Sequence, residues 1–220
     1  MIRCELAPKP DGFAEEVEVP GAAWLAKHPS HSARPKAYWT KFHSELRIAF
    51  RSLCAYGAMF EPSGTCDHFV SRDEDPSRLY DWSNYRYASG WFNSRKGNLK
   101  SSCVLDPFEV GDDWFEVDLR TLELCLTEHV PASHRERAEL MLDKLGLRDD
   151  QRLIDQRASW LDRYEQRGMP FGLLSDLAPL IAAAVLKREL AHPSAHTSAQ
   201  PTTIHLAGDA ASSAPTVVCP

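Results

Sequence analysis

No stretch of the 220-residue chain is apolar for long. The longest run, residues 180–186, falls far short of the about 20 residues that a helix needs to cross a bilayer, so no membrane span is expected. The start, Met1-Ile-Arg-Cys-Glu-Leu-Ala-Pro, has no apolar segment followed by small residues and does not read as a secretory signal, which predicts a cytoplasmic protein. Cysteines at positions 4, 54, 66, 103, 125 and 219 show no close pairing, so thiols are expected and a disulfide framework is not. Positive charge is short overall. With 25 Lys and Arg against 31 Asp and Glu the net charge is -6, which argues against a protein that coats nucleic acid over its whole surface. Residues 191–220 contain no Lys, Arg or Glu and are rich in Ala, Ser, Thr and Pro, a composition that predicts a disordered tail.

A hydrophobic content of 43% supports one sizeable core. Five prolines within residues 1–35 predict an irregular arm. Trp39, Phe42, Leu46, Ala49, Phe50 and Leu53 then recur at three- and four-residue intervals, the pattern of an amphipathic helix. Residues 65–70 lean towards a short strand, 71–78 form a charged loop, and 79–87 are aromatic enough for a second strand or extended segment. Residues 90–97 suit a brief helix ending at Gly97. Alternation over 114–118 and 122–126 predicts a hairpin. Three helices are expected after it, the first starting at a Ser133/Glu136 capping box and stopping at Gly146, the second over 149–167, the third reaching about Leu190.

The chemistry-bearing residues are concentrated. Asp67 and His68 fall on the first strand, Asn84 on the second, and Asn93 to Lys96 on the short helix. Cleaving a phosphodiester requires a base for water, a cation to neutralise phosphate charge and a group that orients the base. Asp67 and Asn93 offer hard oxygen ligands for Mg²⁺ or Mn²⁺. His68 can be neutral and accept a proton near pH 7, and Asn84 could fix its ring by a hydrogen bond. Residues 82–105 form a basic island without a single acid, so Arg86, Arg95, Lys96 and Lys100 are candidates to grip phosphates. Neighbouring strand residues face opposite ways, so Asp67 and His68 reach one site only if the strand ends or twists there.

These residues resemble the HNH nuclease superfamily with its ββα-metal motif, on the segments CDHFVSRDED, DWSNYRYAS and WFNSRKGN. The resemblance implies Asp67 and Asn93 as metal ligands, His68 as general base and Asn84 as orienting residue. The expected fold class is therefore α+β, an HNH core over 36–130 that opens with the amphipathic helix, followed by a helical region over 131–190. A narrower likeness, on Cys54-Ala55-Tyr56-Gly57, Val104-Leu105-Asp106-Pro107 and LMLDKLGLRDDQRLIDQR, is to bacterial anti-phage HNH proteins of the Septu and retron-associated kind. It implies a DNA-cutting defence effector using a one-metal mechanism, and an ATPase partner docked on the C-terminal helices. Many such relatives bind a structural Zn²⁺ through two Cys-x-x-Cys pairs. The matching positions here are Cys54 with Gly57 and Ser89 with Phe92, so that zinc is expected to be absent, with Phe92 filling its space.

Plainer readings stand beside each of these. The basic island could be a solvated face, with Arg86 structural. Cys66 is expected to be buried and inert, and Asp106-Pro107 a structural turn. The whole chain could also be a catalytically degenerate HNH fold that serves as a nucleic-acid-binding or protein-interaction module.

Overall fold

The computed structural model describes residues 1–29 and 33–191. The tail expected over 191–220 lies, beyond its first residue, outside the described residues.

The first segment is not an irregular arm. A π-helical turn at Ala14–Glu18 runs directly into helix α1 (Val19–Lys27), with Pro20 in the first turn of α1. Phe13, Val17 and Trp24 from this segment are buried with Phe42, Leu46, Trp82, Tyr85 and Tyr87. Prolines therefore bracket and initiate helix here. The Trp39 helix is shorter than its periodicity suggests. A 3-10 turn at Tyr38–Phe42 leads into helix α2 (His43–Ala49), and Arg51 and Ser52 then take left-handed backbone angles, φ 53 and 57°, which stop it.

Strand β1 (Thr65–His68) pairs antiparallel with strand β2 (Tyr85–Ala88), placing Asp67 opposite Arg86 and His68 opposite Tyr85. The second extended segment is shorter than the aromatic pattern predicts. Residues 76–84 fold instead into two single 3-10 turns, because the Asp75 and Asp81 carboxylates accept hydrogen bonds from the Ser77 and Ser83 amides and hold those turns closed. Helix α3 (Gly90–Lys96) follows, capped by the Ser89 side chain on the Phe92 amide and ended at Gly97, whose φ of 48° favours glycine. The order strand, loop, strand, short helix holds.

The expected hairpin is formed by β3 (Phe115–Val117) and β4 (Leu124–Leu126). Among the described residues four helices rather than three come after it: α4 (Ala132–Lys144), α5 (Gln151–Glu165), α6 (Phe171–Leu177) and α7 (Pro179–Ala191). Ser133 does not cap α4. The helix begins one residue earlier, after Pro131, and the Ser133 hydroxyl meets the His134 ring instead. The fold is α+β. One apolar cluster runs from Tyr56, Phe69 and Phe92 through Leu105 and Phe115 to Met141, Leu153, Leu174 and Val185, so the helical region and the first hairpin share a core. Arg157, 2% exposed, ties that core together by donating to the Leu122, Leu147 and Arg148 carbonyls. Among the described residues no helix is long and apolar enough to cross a membrane.

Candidate functional site

The β1–β2 hairpin has two faces of different character. Strand alternation puts Asp67, Arg86 and Ala88 on the face towards α3, and Cys66, His68, Tyr85 and Tyr87 on the face towards α1 and α2. Asp67 and His68 thus point apart, as the strand period requires, with His68 the last residue of β1.

Helix α3 clamps onto β1 through side chains one turn apart. Asn93 Nδ2 donates to Thr65 Oγ1 at 3.1 Å and to the Cys66 carbonyl at 3.3 Å. Lys96 Nζ donates to Asp67 Oδ1 at 3.0 Å and to the His68 carbonyl at 2.7 Å. The second Asp67 oxygen accepts the Tyr56 hydroxyl at 2.5 Å. Burial and the adjacent carboxylate push the Tyr56 phenol far above its ordinary range, so it stays protonated and donates. The Lys96 and Asp67 side chains are 0% and 2% exposed, a fully desolvated ion pair.

His68 stands in different surroundings. Its ring is half-buried, edge-on to Trp39 at 4.7 Å and to Tyr85 at 5.0 Å. Nε2 lies 3.0 Å from the Leu79 carbonyl, which can only accept, so Nε2 carries the proton and Nδ1 holds the lone pair. Burial lowers the pKa of His68 to about 4, against a smaller raising effect of Asp67, and the imidazole is neutral at pH 7.

Asn84 does not touch that ring. Fully buried, its amide accepts from the Val70 N–H at 2.7 Å and donates to the Val70 and Arg78 carbonyls at 3.0 and 2.9 Å. It extends the strand ladder one step past His68 and pins residue 78. The neighbouring Leu79 carbonyl then meets both His68 and the Tyr85 hydroxyl. Asn84 therefore supports His68 through the backbone of the 71–80 loop, not by the direct bond expected.

The basic island breaks up on folding. Arg86 is 2% exposed, forms a two-pronged bond to Asp106 at 2.8 and 2.5 Å and lies 3.6 Å from the Phe108 ring centroid. Lys96 is buried as described. Neither can reach a phosphate in this arrangement, because an isolated cation in an acid-poor stretch of sequence finds its counter-ion from elsewhere in the chain. Arg95 pairs with Asp150 at 3.0 Å and stacks on Trp91, which leaves Lys100 as the exposed, unpaired cation of the four among the described residues. Asp106 does hold a structural turn, accepting from the Phe108 amide as well as from Arg86. Tyr56, Asp106 and Trp39 were missed as site neighbours. A buried-charge account of Arg86 and Lys96 would have demanded two carboxylates, which Asp106, next to the island, and the more distant Asp67 supply.

Cys54, Gly57, Ser89 and Phe92 do converge, lining one cavity of about 280 Å³. Cys54 Sγ accepts from the Gly57 amide at 3.4 Å and the Ser89 amide at 3.5 Å, and burial pushes its thiol pKa up. The Phe92 ring packs so close that a Cβ on Gly57 would come within 3.1 Å of it. One sulfur among four positions does not fit a zinc ion. Asp67 and Asn93 have the oxygen donors that suit Mg²⁺ or Mn²⁺, but both Asp67 oxygens are taken and the carboxylate is sealed, so the pair as arranged does not fit either ion. Among the described residues no three His, Cys, Asp or Glu side chains group as a metal site. No family model and no curated protein matches the chain.

Proposed function

We propose that this chain is an HNH-type nuclease that hydrolyses phosphodiester bonds of DNA, with a ββα core made of β1, β2 and α3 and His68 as its general base. The observation that carries this reading is the state of His68: neutral, its Nε2–H anchored on the Leu79 carbonyl, its Nδ1 lone pair without a hydrogen bond among the described residues. An imidazole so held can take a proton from water as the oxygen attacks phosphorus, while Leu79 and Tyr85 keep the ring from turning. Exposed Lys100 is the cation this reading assigns to phosphate, and contacts made to phosphate without base readout predict weak sequence preference and strong salt dependence. In this nuclease class a divalent cation neutralises charge on the phosphate and the departing oxygen. Of the two expected ligands, Asn93 keeps its side-chain oxygen without a hydrogen bond among the described residues, while both Asp67 oxygens are taken. A role in anti-phage defence beside an ATPase that binds α4–α7 belongs to the same proposal.

The degenerate, non-catalytic reading is favoured by one specific observation, the closure of Asp67 by Lys96 and Tyr56. Plasmid nicking with Mg²⁺ or Mn²⁺ separates the two. The nuclease reading expects cleavage that falls by about 100-fold or more in His68→Ala. Equal rates in the unmodified chain and His68→Ala, or no cleavage with either ion by both the unmodified chain and Lys96→Gln, would leave a binding module.

A further inference from the structure

Asp67 occupies the position where the resemblance implies a metal ligand, and the atoms around it argue for a different cation. A carboxylate presents two oxygens, and here one faces the Lys96 ammonium while the other faces the Tyr56 hydroxyl. The ammonium is itself held from several sides: by Asp67, by the His68 carbonyl, and by the Phe69 ring, whose centroid lies 5.9 Å away. Two buried side-chain polar atoms lack a partner among the described residues, Arg137 Nε and Trp160 Nε1, and neither belongs to this cluster. Among the described residues, neither Asp67 oxygen is left without a partner.

We infer that the Lys96 ammonium is the resident cation of Asp67, and that a divalent ion can bind Asp67 only after Lys96 has left it. An ion such as Mg²⁺ sits about 2.1 Å from its oxygen ligands and keeps several waters, for which this sealed pocket has no room. Two cations sharing one carboxylate oxygen in a desolvated site also repel each other strongly. Lys96 is thus a latch on the candidate metal position, in series with any cleavage step.

Mn²⁺ titration followed by electron paramagnetic resonance tests this on the full chain, comparing the unmodified protein with Lys96→Gln, Asp67→Asn and the double variant. The unmodified protein is expected to bind Mn²⁺ no better than Asp67→Asn. Lys96→Gln should bind one ion at least tenfold more tightly, and the double variant should lose that gain. A single Mn²⁺ bound by the unmodified protein and lost in Asp67→Asn overturns the inference, as does a folded Lys96→Gln that gains nothing. If Lys96→Gln does not fold, the Lys96 ammonium signals in ¹⁵N NMR of the unmodified protein decide. Signals unmoved by millimolar Mg²⁺ support the latch, and a saturable loss or shift refutes it. Both readouts are independent of cleavage, so they stand or fall apart from the nuclease reading.

Discussion

The two faces of the β1–β2 hairpin solve the problem of burying polar side chains in opposite ways. On the α3 face every charge has an opposite charge against it: Lys96 on Asp67, Arg86 on Asp106. On the other face His68 sits between Trp39 and Tyr85, has no salt-bridge partner among the described residues, and gives up its charge instead. Desolvation penalises an isolated ion, and a group with an accessible pKa escapes by becoming neutral. Lysine and arginine cannot do so cheaply and recruit partners. A paired face is rigid and chemically quiet, whereas a neutral imidazole with an uncommitted lone pair is a base. The contrast explains how adjacent residues, Asp67 and His68, come to play such different parts.

Breaking the paired face should have the largest effect. Lys96→Met strands a buried carboxylate and is expected to cost about 3–5 kcal/mol in urea unfolding, most of it recovered in Asp67→Asn/Lys96→Met. A loss under about 1 kcal/mol would show the pair to be hydrated. Asn84→Ala removes three hydrogen bonds of a buried side chain at the junction of the faces and should cost about 2–4 kcal/mol; on the proposed nuclease reading cleavage falls alongside, because the Leu79 carbonyl is no longer fixed.

The aromatic face is sharpened by pH. The folded pKa of His68, about 4, lies below its ordinary 6.5, so between these values the unfolded chain binds the extra proton. The contribution of neutral His68 to stability is fully present above pH 6.5 and is lost as pH falls towards 4. That shift corresponds to at most about 3 kcal/mol, less in proportion to the water reaching a half-buried ring. His68→Phe should flatten this slope in unfolding experiments at pH 4 to 7. On the proposed nuclease reading, cleavage should have its acid limb near pH 4. A limb near 6.5 would mean the ring is solvated in the working state. The smallest effect is expected outside both faces: Lys100→Ala should alter stability by less than about 0.5 kcal/mol and, on the proposed nuclease reading, reduce the salt slope of DNA binding by about 1.

Much of the site's skeleton was legible because it is local. Gly97 ends α3 by ordinary capping chemistry, and the period of two in β1 set Asp67 and His68 apart. What escaped was non-local. Nothing near Arg86 in the sequence names Asp106 as its partner across twenty residues, and the acid-free stretch 82–105 looks like a basic surface until the chain closes on it. The aromatic residues of 79–87 read as extended until Asp75 and Asp81 are seen to hold 3-10 turns. Prolines in the first thirty-five residues suggested irregularity because their placement at a helix start could not be told from composition.

The cluster of Cys54, Gly57, Ser89 and Phe92 carries a consequence for how the protein meets its environment. Where four thiolates hold an ion, folding is linked to the free concentration of that ion, and a chelator or an oxidant that strips it loosens everything mounted on the site. A phenyl ring packed on glycine can be neither exchanged nor reduced nor withheld. The corner that supports β2 and α3 should therefore stay in place through metal starvation and oxidative stress alike.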